Sequence, residues 1–206
     1  MALMREPNET VFQKTLALSD FYFGCDEWQY PLGLIQMCAT SHGAQIRGEV
    51  RPGSLQWVPK MPYEQMARHS MSFWLMSEDL PRAQNRIFYD GERVVLDVTE
   101  NNMEAHRRLR KKLEQVLNSA GAHPLLWQRS FYLGKNIPIS GTAHQPGTAR
   151  FGNDARSSVL DLDCKFHELD KLYFVDASFF PSIGAVNPTL TIVANALRVA
   201  DRIKAR

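Results

Sequence analysis

Leu172-Tyr173-Phe174-Val175-Asp176-Ala177-Ser178 and Asn187-Pro188-Thr189-Leu190-Thr191-Ile192-Val193 are the two stretches whose reading decides the fold. The first is a short apolar run closed by an acid, and it predicts a strand over 172–175 with Asp176 at its carboxyl end. Pro181 and Gly184 then make a loop. The second stretch predicts a helix: Asn187 suits an N-cap, and Pro188 suits the first helical position, where its missing N–H is not needed. Leu190, Val193, Leu197 and Ala200 recur at helical spacing and predict the buried stripe. Ligands of open α/β sheets bind at the carboxyl ends of strands. The free N–H groups and positive dipole end of a helix suit an anionic or electron-accepting ring.

Upstream, His144 stands in Gly141-Thr142-Ala143-His144-Gln145-Pro146-Gly147-Thr148. Proline and glycine predict a loop, and the small residues leave room beside the ring. An imidazole in such a loop can accept a proton. It can equally be a structural histidine bonded to a backbone carbonyl. Asn187 carries the same choice between helix cap and functional amide. The other five histidines lie in turns or charged contexts, and no pair has metal-ligand spacing.

The composition is that of an ordinary soluble chain, with 44% hydrophobic and 22% charged residues and a net charge of +2. Arg107-Arg108-Leu109-Arg110-Lys111-Lys112 alternates with apolar residues as a solvated helix face does, which argues against a nucleic-acid partner. Cys25, Cys38 and Cys164 lack CxxC spacing, so reduced thiols and a cytoplasmic location are expected. The first residues hold no apolar signal core and no segment has spanning length, so no membrane partner is expected.

Local patterns predict an α+β chain with a mostly antiparallel sheet. Residues 11–18 read as helix or strand. Tyr30–Ala39 reads as extended, with Leu32 and Leu34 on one face, and 41–63 as a long loop rich in proline and glycine. Ser70–Met76 predicts a buried strand, and Asp90-Gly91 between Ile87-Phe88-Tyr89 and Val94-Val95-Leu96 predicts a type I′ hairpin. Asn101 and Glu104 predict a capping box, and Gly121 a C-terminal stop, for a helix with Leu109, Leu113, Val116, Leu117 and Ala120 as its stripe. Trp127–Leu133 reads as a further strand. Trp74, Phe88 and Trp127 are expected to pack the core. The pattern changes near residue 140.

Three blocks, His144-Gln145-Pro146-Gly147-Thr148-Ala149-Arg150-Phe151-Gly152, Leu172–Ser178 and Val186-Asn187-Pro188-Thr189-Leu190-Thr191, stand in an order and spacing that closely resemble the C-terminal segment of the glucose–methanol–choline (GMC) family of FAD-dependent oxidoreductases. The resemblance implies that residues 1–140 are part of a substrate-binding domain. It implies that 141–206 carry the catalytic segment and a strand–loop–helix completing an FAD-binding domain. By the same resemblance, His144 accepts the hydroxyl proton of an alcohol as hydride passes to FAD, and Asn187 orients the substrate oxygen. Asp176, Ala177, Pro188 and Thr189 would then adjoin the cofactor.

The family's N-terminal G-x-G-x-x-G strand–turn–helix, which binds the ADP half of FAD, has no counterpart in this sequence. The expectation is therefore the catalytic portion of an alcohol oxidoreductase, inactive unless a separate N-terminal FAD-binding chain is supplied. A non-catalytic remnant or interaction domain derived from such an enzyme is the alternative.

Overall fold

The computed structural model describes residues 1–9, 16–39, 41–49, 60–128 and 142–205. They divide into two compact units, Met1–Ser77 with Glu104–Gly141 and Glu78–Met103 with Thr142–Arg206. The α+β expectation holds, with helices beside small sheets whose strands pair antiparallel.

In the first unit, β1 (Ala2–Leu3) pairs with β4 (Ser70–Met71) and β8 (Leu125–Leu126). A second sheet joins β2 (Ala17–Leu18), β3 (Leu34–Met37) and β5 (Phe73–Met76). Against them lies α3 (Met103–Ser119), whose Ala105, Leu109, Leu113 and Leu117 are buried with Ala2, Leu32 and Ile35. The helix ends in a Schellman motif: the Ala122 amide donates to the Leu117 carbonyl and that of Gly121 to Asn118, with Gly121 at φ 79°. Gly33 is required where β3 passes β5, because φ is 123° and a Cβ would strike the Met76 carbonyl.

Several expectations for this unit are corrected. Residues 41–63 include α1 (Gly43–Glu49) and the start of α2 (Lys60–Arg68), which bury Ile46, Tyr63 and Ala67 together. The Ser70–Met76 run breaks at Ser72 into two strands of different sheets, and Trp74 is exposed rather than core. The extended reading holds only for β3, where Ile35 and Met37 are buried and Leu34 is half-buried, while Leu32 is buried just before the strand. Asn101 does not cap α3, because its amide is spent on both backbone groups of Leu80, at 2.9 and 3.0 Å. A short strand β8 ends at Leu126, and the strand expected over Trp127–Leu133 falls mostly on residues 129–141, which, like 10–15, lie outside the described residues.

The second unit holds a hairpin, β6 (Arg86–Tyr89) with β7 (Val94–Asp97), and the C-terminal helix α4 (Thr189–Lys204). Its connection is 90–93 rather than a two-residue Asp90-Gly91 turn. Tyr89 pairs with Val94, and the Asp90 carboxylate accepts from the Glu92 and Arg93 amides. Phe88 lies exposed under Arg86. Residues 172–175 are not a strand, because the neighbouring chain matches them at one bridge only, Lys165 with Tyr173. The core is Ala149, Leu160, Cys164, Phe179 and Val199.

The predicted stripe of α4 is also corrected. Val199 is buried and Ile192 and Ala196 half-buried, whereas Leu190, Val193 and Leu197 are 85%, 51% and 64% exposed. Ala200 is exposed too. The helix carries two apolar stripes, and the unit's own core uses the other one. Among the described residues no helix is long and apolar enough to cross a membrane.

Leu109→Ala, at a fully buried position, is expected to cost about 2–5 kcal/mol in urea unfolding, whereas Leu197→Ala should leave stability nearly unchanged. A comparable loss from both would contradict the burial pattern. Glu27 is pulled down to about 2, chiefly by its hydrogen bond from Lys112 at 2.7 Å. A carboxylate depressed on folding stabilises above its ordinary pKa of 4.5 and loses that contribution as pH falls through its folded value. Glu27→Gln should therefore destabilise at neutral pH, and the difference from the parent chain should close between about 4.5 and 2.

Candidate active site

The candidate residues all belong to the second unit, and backbone hydrogen bonds draw their segments together. The Gly147 amide donates to the Ala177 carbonyl at 3.3 Å and the Ala149 amide to the Ser178 carbonyl at 3.0 Å. Gly147 reaches this geometry at φ 86°, and a Cβ there would stand 3.2 Å from the Phe180 carbonyl oxygen. Beneath the join, Ala149 is buried and Phe151 stacks on Phe179 with ring centroids 5.5 Å apart. The loop after His144 is thus laced to the segment after Asp176.

His144 is half-buried, three residues before the first of these bonds. Gln145 turns back to donate to the Thr142 carbonyl at 2.9 Å, which leaves the loop folded around the imidazole position. No hydrogen bond to the His144 ring occurs among the described residues.

Asp176 has a different standing. Its Oδ1 accepts from the Ser178 amide at 2.8 Å, capping a short 3-10 turn, Ala177–Phe179. One carboxylate oxygen is therefore committed to local structure. Ala177 is half-buried and its carbonyl takes the Gly147 and Phe180 amides. From Phe180 the chain runs to Asn187 in a loop held at its middle: the Ser182 hydroxyl donates to Glu78 Oε1 at 2.9 Å and the Asp79 amide to the Ile183 carbonyl at 3.1 Å.

Asn187 is exposed and does not cap α4. Pro188, buried and already in helical conformation, stands at the cap position with no side-chain hydrogen bond, and its carbonyl accepts the Ile192 amide at 3.0 Å. The helical bonding starts at the Pro188 carbonyl, one residue later than expected, so Asn187 lies before the cap position. Thr189, the first helical residue, is exposed. Among the described residues no side-chain hydrogen bond caps the first turn of α4.

No hydrogen bond joins His144 to Asn187 among the described residues. Glu78 and Asp79 tether the 181–183 loop from far along the chain. Only tertiary contact reveals them, since neither lies in a motif. Burial raises the Asp79 carboxyl against the opposing influence of Asn101 and Arg82.

The chain's sequence matches the C-terminal-domain model described as GMC oxidoreductase over residues 92–196, just over half its length. It is 36% identical over 112 residues to 6'''-hydroxyparomomycin C oxidase of Streptomyces lividus, covering 53% of this chain and 19% of that protein. Paromamine 6'-oxidase of Streptomyces fradiae is 35% identical over 112 residues, covering 53% of this chain and 20% of that protein. Long-chain-alcohol oxidase FAO3 of Arabidopsis thaliana is 30% identical over 115 residues, with 55% of this chain and 14% of that protein covered. The chain thus spans about a fifth or less of the length of these three relatives. With the matched span containing the laced loop, the 3-10 turn and the start of α4, the chain belongs to the GMC oxidoreductase family.

Proposed function

We propose that this chain supplies the proton-accepting and substrate-orienting groups of an FAD-dependent oxidation of an alcohol. One observation carries the reading. His144 and Asn187 lie in the family-matched span, on segments tied through the 147–149 and 177–178 backbone, and neither side chain is hydrogen-bonded among the described residues. A histidine held by a carbonyl and an asparagine held as a cap would need bonds that neither side chain makes among the described residues.

In this reading a ring nitrogen of His144 takes the hydroxyl proton as the carbinol carbon gives up hydride, leaving a carbonyl product. The Asn187 amide donates to the substrate oxygen and fixes which C–H faces the acceptor. FAD, when bound, supplies that hydride acceptor. The residues present suit one edge of it: the uncapped first turn of α4 after Pro188 and Thr189 offers backbone donors, and Asp176 retains one free carboxylate oxygen beside Ala177. They do not suit the ADP half, for which this sequence has no glycine-rich phosphate loop.

We infer that a dinucleotide-binding part, in the same or a separate polypeptide, completes the site. The exposed stripe of Leu190, Val193 and Leu197 and the exposed apolar residues of the hairpin, Tyr89 and Val94 among them, support this. Apolar surface of that extent is a common mark of an interface. The division into a substrate-binding portion over 1–140 and a catalytic segment over 141–206 belongs to the same proposal, as does a cytoplasmic location.

The test is reconstitution with such a part, followed by alcohol-dependent bleaching of bound flavin. His144→Ala is expected to lower turnover by roughly a hundredfold or more at unchanged melting temperature. Turnover close to the parent's would remove the proton-acceptor assignment. Asn187→Ala should also leave the melting temperature unchanged, because no cap is lost, while turnover falls. A drop in stability without a drop in rate would return Asn187 to a structural role.

A further inference from the structure

A cleft of about 610 Å³ lies within the second unit. That is in the range of small-ligand sites, roughly 300–1,000 Å³. Four arginines line it, Arg82, Arg86, Arg150 and Arg156, brought together from segments far apart in the sequence.

Their charges are incompletely answered. Arg156 is held by Asp154, with its Nη2 2.8 Å from Oδ2 and its Nε 3.1 Å from Oδ1. Arg82 faces Asp79, the one acidic residue of the lining. Arg86 lies 5.1 Å over the Phe88 ring, which orients the guanidinium without neutralising it. Arg150 has no ion pair among the described residues. Arg86 and Arg150 are therefore the two guanidiniums of the cleft that make no ion pair among the described residues, although Asp97 stands opposite Arg86 across the hairpin. Guanidinium forks match the oxygens of phosphate in pairs, and a hydrogen bond between charged groups is about twice as strong as a neutral one. Thr148, also in the lining, adds a hydroxyl donor.

We propose that this cleft binds a phosphate-monoester dianion, with Arg86 and Arg150 as its principal ligands. The inference rests on side chains of the second unit alone and does not depend on the redox reading. The dianion has two possible sources, a phosphoryl group carried on an alcohol or free inorganic phosphate.

Isothermal titration of the chain at low ionic strength with inorganic phosphate, glycerol 3-phosphate and glycerol tests it. Saturable one-site binding of the phosphates and none of glycerol is expected. Tighter binding of glycerol 3-phosphate assigns the site to a phosphorylated alcohol, and equal binding assigns it to the free anion. Arg86→Gln or Arg150→Gln should weaken binding about tenfold or more. Both side chains are exposed and free of ion pairs among the described residues, so melting temperatures should not move. Lys111→Gln on α3 removes the same charge elsewhere and should leave binding unchanged. Absence of saturable binding, or equal weakening by Lys111→Gln, would overturn the proposal.

Discussion

Two backbone hydrogen bonds, Gly147 to Ala177 and Ala149 to Ser178, set the geometry on which the second unit's candidate site depends. Each contributes about 1 kcal/mol by itself, but they act where the chain has little freedom. Gly147 is at positive φ with the Phe180 carbonyl close by, and Ala149 is buried against the core formed with Phe179 and Val199. Loosening the join would leave the loop carrying His144 without its anchor. It would also free the 3-10 turn that Asp176 caps. The site is therefore organised by backbone rather than by contacts between its own functional side chains.

How much of this could be read beforehand follows from where the information lies. The loop around His144, the acid closing 172–176 and the helix after Asn187 are local, and glycine, proline and apolar spacing mark them plainly. Gly121 was legible as a helix stop for the same reason. Asn101 was misread because a side chain that can cap a helix can equally bind a distant backbone, and Leu80 is not visible from Asn101 in sequence. Residues 172–175 were misread because strand formation needs a partner of matching length, and only Lys165 pairs there. The arginines of the cleft form no run, so charge patterning along the chain could not reveal them.

The C-terminal helix shows the same limit in its sharpest form. Ile192, Ala196 and Val199 repeat with helical spacing, and so do Leu190, Val193 and Leu197. Periodicity cannot say which stripe meets the core of a given unit, because both satisfy it. In this unit the first stripe is buried, while Asn195 and Arg198 reach Cys164 Sγ at 3.4 and 3.7 Å. The second stripe is left to water, an unfavourable outcome at about 25 cal/mol per Å² of apolar surface.

The functional reading gains its force from how the polar groups are spent. Asp176 has one oxygen committed to Ser178, Asn101 has its amide committed to Leu80, and Glu78 holds Ser182. The bonds of Asn101 and Glu78 serve the fold and would have to break before a reactant could use those groups, whereas Asp176 has only its Oδ1 committed. His144 and Asn187 stand among the same segments with no such bond among the described residues. A proton acceptor with no internal bond at its ring can meet a substrate hydroxyl without first losing a protein partner, and an uncommitted amide can donate to the oxygen that results.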